Sequence, residues 1–294
     1  MQRQPRGIVC ILLSPAMPLD PFEQANQWEQ AANVLRAARH VVVFTGAGVS
    51  AESGIPTFRD ADGLWQEFPP EQFVTWQGLI RTALLRPRRL AAFVQQVIEP
   101  IARAEPNAAH RAIERLERHT RVTVVTQNID GLHEAAGSTT VHAVHGTLFE
   151  VVTAQRRFLR LLNRAHLLKM AERLARLRRA WFLPLARVLW TIRPLVGWSW
   201  RGFHRPKLVL FGDRLCEPDW SLAVAAIEDC DCVLQIGCSG QVFPAALLTL
   251  LAKEQGATVV AIDPNETASD LWLAGAAGEV MPELLHEAFG DSAD

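Results

Sequence analysis

At 294 residues the chain is long enough for one large domain carrying an inserted module, or for two small ones. Its composition, 49% apolar and 21% charged, excludes both a disordered chain and a multi-span membrane protein. A net charge of -1 gives no global case for nucleic acid, and the cysteines (Cys10, Cys216, Cys230, Cys232, Cys238), odd in number and without a C-x-x-C pair, point to a reducing, cytoplasmic compartment.

Arg3 and Arg6 ahead of the apolar run Gly7 to Leu13 outline a weak signal peptide, but that run is at the short limit. Asp20-Pro21-Phe22-Glu23 instead begins a helix, with Asp as cap, Pro first in the helix and Glu three after the cap. Residues 1–19 therefore read as a disordered tail, or as sequence ahead of a true start at Met17.

The helix through Trp28, Val34 and Leu35 leads into a β-branched strand, His40 to Phe44, and a glycine turn. Further strands are expected at Arg121 to Thr126, Lys207 to Phe211, Cys232 to Gly237 and Thr258 to Asp263, with helix-length segments between several of them. This alternation predicts an α/β protein with a Rossmann-like, mainly parallel sheet and helices on both faces. Residues 20–150 and 206–290 form this discontinuous domain, and 151–205 an inserted helical module. Ligands of such sheets bind at the carboxyl ends of the strands.

Gly46-Ala47-Gly48-Val49-Ser50-Ala51 follows the first strand and fits G-x-G-x-x-G/A, in which glycines let backbone amides close on a pyrophosphate. A tight strand-to-helix turn without a ligand gives the same pattern. The acidic residue usual about 20 positions on is not evident. Gln127, Asn128 and Asp130 at another strand end suit a polar ligand or an Asx-type turn that caps the next helix. His145-Gly146 closes a further strand, where a lone histidine is more often structural.

Taken together, G-A-G-V-S-A-E-S-G-I-P-T-F-R-D (46–60), T-Q-N-I-D-G-L-H (126–133), H-G-T-L (145–148), K-L-V-L-F-G-D (207–213) and I-G-C-S-G-Q-V-F-P-A-A (236–246) resemble the successive motifs of the sirtuins, NAD-dependent protein deacylases. The resemblance implies a diphosphate facing Gly46, Ala47, Gly48 and Ser50, and a nicotinamide carboxamide held by Ile55 and Asp130. Phe58 and Arg59 would belong to a cofactor loop. Gln127 and Asn128 would meet the nicotinamide ribose, Gly237 and Ser239 the adenosine half, and Asp263 its ribose. His145 would be the general base and Asn128 its catalytic partner. An acyl-lysine peptide would enter as a strand beside Lys207 to Phe211, on Val209, Phe211 and Gly212. Its acyl oxygen would attack C1′ of the ribose as nicotinamide leaves, and the acyl group would pass to ADP-ribose. The same scaffold also suits an NAD glycohydrolase, an ADP-ribosyltransferase or an NAD-binding sensor, and third a binding protein without activity.

Four positions depart from the family: Thr57 and Asp213 stand where Asp and Glu are usual, Cys238 where Thr is usual, and Asp263 where Asn is common. Val94 and Val97 occupy the positions of a Tyr and an Arg that mark removal of acidic acyl groups. A neutral acyl group, acetyl or longer, is expected, because burying a carboxylate without a cation is costly. The family's small module carries two C-x-x-C pairs for zinc. Residues 151–206 hold no cysteine, only His166 and His204, so no structural zinc is expected. Arginines interleave with leucines there, Glu172 is the sole acid, and Phe158, Leu159, Leu161, Leu162, Leu167 and Leu168 are expected to pack on the main domain with the arginines outside. With Trp181, Trp190, Trp198 and Trp200 this reads as a solvated basic face, or as a face for an anionic membrane surface or acidic partner. The arginines interrupt every apolar stretch before a transmembrane length.

Overall fold

The structure, a computed structural model, describes residues 21–57, 64–178, 185–210, 212–238, 240 and 242–290. Among the described residues, ten strands fall in two sheets. The large sheet is parallel, in the order β10 (Leu271–Ala274), β9 (Thr258–Asp263), β8 (Cys232–Ile236), β1 (His40–Thr45), β2 (Arg121–Thr126), β3 (Val141–Ala143). The small one is antiparallel, in the order β5 (Phe158–Leu161), β4 (Gly146–Thr153), β7 (Gly202–Leu208), β6 (Gly197–Ser199). The helices are α1 (Pro21–Ala37), α2 (Leu64–Glu67), α3 (Pro70–Phe73), α4 (Trp76–Leu85), α5 (Pro87–Arg103), α6 (Ala108–Leu116), α7 (Leu132–Ala136), α8 (Arg164–Arg178), α9 (Leu185–Ile192), α10 (Asp219–Glu228), α11 (Leu247–Glu254) and α12 (Ala277–Phe289).

β1 is buried at every residue, as a β-branched central strand covered on both faces must be. Val41 and Val43 turn to a core shared with α1, α6 and α12, while Val42 and Phe44 turn to one shared with α10 and α11. Its neighbours are β2 on one side and β8 on the other. The chain leaves β1 toward β2 and later returns to β8, so the crevice at the carboxyl ends of β1 and β8 is the point where strand order reverses.

The inserted segment is not helical throughout. Phe158–Leu161 forms β5 against β4, and Phe158 and Leu161 are exposed rather than packed on the main domain. Four residues are too few for helical and strand periodicity to be told apart, and pairing with β4 decides. The strand expected at Lys207 lies earlier, since β7 ends at Leu208. Buried His204 and Pro206 belong to it, residue types that do not announce a strand. The small sheet thus runs from Gly146 to Leu208.

α8 joins this sheet to the main body. Leu167, Met170, Ala171 and Leu174 recur at helical spacing, are buried, and share a core with Leu90, Ala91, Ile98 and Ile101 of α5 and with Val188 and Ile192 of α9. Full burial of such a side chain contributes about 1.5–3 kcal/mol, so this seam supplies much of the insert's stability. The Leu174→Ala variant is expected to lose about 2–5 kcal/mol of unfolding free energy in urea, whereas Arg173→Ala on the exposed face should stay within about 0.5 kcal/mol. Equal losses would show that the seam is not the insert's anchor.

Candidate active site

The turn after β1 is a 3₁₀ helix, Ala47–Ser53, and it packs backbone to backbone on the turn after β8. The Gly46 amide donates to the Ile236 carbonyl (3.0 Å) and the Gly48 amide to the Gly237 carbonyl (3.1 Å). Gly237 has φ +59, and a Cβ there would overlap the Val49 amide nitrogen. The glycines therefore serve first to let two loops touch, and the Gly46 and Gly48 amides are already bonded within the protein.

Polar side chains from the segment after β2 close over this contact. Asn128 donates through Nδ2 to the Gly46 carbonyl (2.9 Å) and to Ser50 Oγ (3.2 Å), and Ser50 donates to Asp130 Oδ2 (2.8 Å). The other Asp130 oxygen accepts from the Leu132 amide (3.0 Å), an Asx-type turn that starts α7. Burial raises the Asp130 pKa, opposed by those two hydrogen bonds and by the charge of Arg164. Asp130 is thus both a structural cap and part of the cluster.

Arg164 was not apparent as a site residue from its place in an arginine-rich run. Its guanidinium donates to the carbonyls of Ile101 and Asp130 and lies 5.2 Å from the Phe149 ring. Arg160 and Arg205 are also drawn inward. Arg160 donates to the Pro194 carbonyl (2.8 Å), and Arg205 to the Leu208 carbonyl (2.7 Å) while lying over Trp76. The expectation that the insert's arginines all stay outside fails at these three, because their partners are carbonyls brought near by the fold.

His145 is half-buried at the start of β4, with Nδ1 3.0 Å from the Gln127 carbonyl. A carbonyl only accepts, so Nδ1 carries the proton and Nε2 presents the lone pair. Burial lowers the His145 pKa, with the Gln127 carbonyl pulling the other way, so the ring is neutral at pH 7 and able to accept a proton. The residue is clamped from both sides: Cys216 donates its amide to the Val144 carbonyl and Val209 its amide to the His145 carbonyl, each 3.0 Å. Gly146, φ +81, lies so close to the Lys207 carbonyl that no Cβ fits.

Among the other expected residues, Gln127 reaches Cys238 Sγ (3.6 Å), and Asp263 at the end of β9 accepts from the Asn265 amide (2.9 Å). Ile55 packs against the apolar cluster that contains Leu148, as do Ile129 and Phe149. Val209 is tied to His145, and Gly212 sits exposed at φ +93. Phe58, Arg59, Phe211 and Ser239 lie outside the described residues. The ends of β1, β2, β8 and β9 thus bring Ser50, Gln127, Asn128, Asp130, Gly237 and Asp263 to one crevice, with His145 beside Gln127. Hydroxyl, carboxamide and carboxylate groups in that crevice fit a ribose-bearing dinucleotide, the carboxylate of Asp263 suiting ribose hydroxyls. Among the described residues, no group of three or more His, Cys, Asp or Glu is placed to hold a metal ion.

Beside the crevice, His110 and His133 form a histidine pair. Thr45 donates to Thr126 Oγ1 (2.8 Å) and accepts from His133 Nε2 (3.0 Å), while His110 Nδ1 bonds Asn107 Oδ1 (2.9 Å). Asn107 in turn donates to the Val49 carbonyl (2.8 Å), and Thr126 Oγ1 accepts from the Asn128 amide (3.0 Å). The two rings, 4.8 Å apart, lie within the hydrogen-bond network that holds the turn after β1.

The sequence pattern of the Sir2 family matches residues 46–244. The NAD-dependent protein deacylase of Pyrococcus abyssi is 36% identical over 263 residues, which is 88% of this chain and 96% of that one. Among solved structures, the complex of a Sir2 homologue with NAD superposes with a TM-score of 0.70 at 32% identity, covering 88% of this chain and 93% of that one. Sir2Af2 bound to a myristoylated histone peptide gives 0.65 at 28% identity, covering 90% and 97%.

Burial, with a smaller push from Arg111, lowers the His110 pKa from 6.5 to about 4, and burial followed by the His110 charge takes His133 well below its ordinary value. The unfolded chain then binds more protons than the folded one between about pH 4 and 6.5. Stability is full above that window and falls as the pH drops through it. From His110 alone the loss between pH 7 and pH 5 should be on the order of 1–2 kcal/mol. Urea titrations of wild type and His110→Gln at the two pH values test this; the variant should show the smaller pH dependence, and an equal dependence would clear His110 of the effect.

Proposed function

The chain belongs to the Sir2 family, and from that premise we propose that it is an NAD-dependent protein lysine deacylase, which transfers an acyl group from lysine to ADP-ribose and releases nicotinamide. The observation that carries the reading is His145: a neutral ring, its Nδ1 proton committed to the Gln127 carbonyl and its Nε2 lone pair left for a substrate hydroxyl. NAD, when bound, supplies the ribosyl electrophile with nicotinamide as leaving group.

The chain's own groups position and deprotonate. Asn128 is fixed through Nδ2, which leaves Oδ1 to accept from a ribose hydroxyl. His145 Nε2 takes a hydroxyl proton, and the clamp on its backbone keeps the ring from turning away. The crevice needs no strong acid, since separation of nicotinamide from ribose calls for orientation and exclusion of water. Val209 and Gly212 would meet the peptide, so that peptide binding and alignment of the base act on one hydrogen-bonded unit. Retention of this peptide-binding segment supports deacylation over simple NAD hydrolysis.

Three finer readings accompany this one. The acyl group is neutral: Val94 and Val97 on α5 pack among apolar neighbours, Val97 against both the α5–α8 core and the aromatic group of Phe68 and Phe73. The insert holds without zinc, supported by the α5–α8 core and by the bond from the Ala154 amide to the Phe203 carbonyl (3.0 Å), which ties its two hairpin turns together. A cytoplasmic location accords with free thiols at Cys216, Cys230, Cys232 and Cys238.

His145→Ala should lose deacylation by roughly 10²–10⁴-fold while NAD affinity, followed by calorimetry, changes little. Asn128→Ala should slow nicotinamide release itself, and wild-type release from that variant would remove Asn128 from the step. On the acidic side, kcat/KM should fall with a midpoint below 6.5, the ordinary histidine value, because the His145 pKa is lowered. Acetyl-lysine or longer neutral acyl-lysine peptides should exceed succinyl-lysine in kcat/KM, and a preference for succinyl would defeat the reading of Val94 and Val97. Metal analysis of purified protein should find no stoichiometric zinc, and a chelator should leave Tm unchanged.

A further inference from the structure

The inserted segment ends in a tip of unusual chemistry. The β4–β5 turn and the β6–β7 turn lie side by side, joined by the Ala154 amide and the Phe203 carbonyl. At this end of the small sheet Phe158 is 56% exposed, Trp198 77% and Trp200 86%. Exposures this high exclude a role for these rings in the insert's own core. Trp198 is nonetheless held, edge-on to Phe203 with centroids 5.8 Å apart, and Arg201 stacks over Trp200 at 4.5 Å. Arg157 and Arg201 stand exposed at the same two turns, whereas the guanidinium of Arg156 donates to the Arg214 and Leu215 carbonyls.

Charge sharpens the picture. Between residues 151 and 206 the only acid is Glu172, which lies on α8 beside Arg176 and away from the tip. No carboxylate of the segment neutralises Arg157 and Arg201, whereas Glu150 and Glu217, outside it, line one cavity with Arg156 and Phe158. No helix of the described residues is long and apolar enough to cross a membrane.

We propose that this tip docks the protein on an anionic lipid bilayer, with Trp198, Trp200 and Phe158 seated at the headgroup level and Arg157 and Arg201 over acidic headgroups. Tryptophan is the side chain that prefers the membrane interface, with an apolar body and a polar nitrogen, and arginine beside it reads negative surface potential. The exposed tryptophans select a bilayer over a nucleic acid or a folded acidic protein, since an indole with an apolar body and a polar nitrogen is best accommodated at the headgroup level.

Flotation of the full-length protein with vesicles of phosphatidylcholine alone, and of phosphatidylcholine with about 30% phosphatidylserine, tests the proposal. Binding is expected to the anionic vesicles only, to weaken with salt, and to shift tryptophan emission to the blue. Arg157→Ala and Arg201→Ala should each weaken it roughly fivefold, and Trp198→Ser with Trp200→Ser should remove most of it. Turnover of a soluble acyl-lysine peptide should stay at the wild-type level in the tryptophan variant, which separates loss of docking from loss of fold. Absent or equal binding to both vesicles, or salt-dependent binding to duplex DNA or an acidic protein without vesicle binding, would overturn it.

Discussion

Everything at the crevice rests on the contact between two backbones. The turns after β1 and β8 meet with no side chain between them, through the Gly46–Ile236 and Gly48–Gly237 hydrogen bonds, at the one place in the sheet where strand order reverses. Buried backbone donors must be satisfied, and here the carbonyls of Ile236 and Gly237 satisfy the Gly46 and Gly48 amides. Asn128 is then fixed by a carbonyl of the first turn, Ser50 by Asn128 and Asp130, and Asp130 by the start of α7. A side chain at Gly237 would part the turns and loosen all of these together. The result is a rigid polar floor assembled before any ligand arrives, which is what orientation-dependent chemistry requires.

The insert is part of this arrangement rather than an attachment to it. Arg164, the first residue of α8, reaches the Asp130 and Ile101 carbonyls, so the helix that buries the insert's core also braces the Asp130 end of the crevice. Burial lowers the arginine's pKa, with Asp130, Glu134 and Glu105 holding it up, and its charge in turn steadies the buried Asp130 carboxylate. Stability of the small sheet and electrostatics of the site are coupled through one guanidinium.

Much of this could be read from residues alone. Arg121–Thr126 and Thr258–Asp263 are strands at the expected residues, because continuous β-branched runs bounded by polar residues have few other uses in a covered sheet. The crevice residues were legible because they fall directly after such runs. What escaped depended on partners distant in sequence. The Gly46 and Gly48 amides, expected to face a ligand, are taken by carbonyls almost 190 residues away. Arg164 looked like one more surface cation until Ile101 and Asp130 were placed beside it. Phe158–Leu161 became a strand only through pairing with β4, and the short strands β3 and β10 carry too little sequence to stand out.

β7 runs without interruption from the tip hairpin to the segment whose amide holds His145. Along it Val152 faces Arg205 and Thr153 faces His204 across the ladder, and Val209 follows at once to reach the His145 carbonyl. Side chains alternate faces, so an insertion or deletion of one residue between Gly202 and Val209 would turn the buried His204 and Pro206 outward and swing the Val209 amide off its acceptor. Between Trp198 and Gly202, by contrast, extra length is absorbed in a surface turn. Lineages descended from this protein are thus free to vary the tip in length, while the seven residues of β7 keep a fixed count.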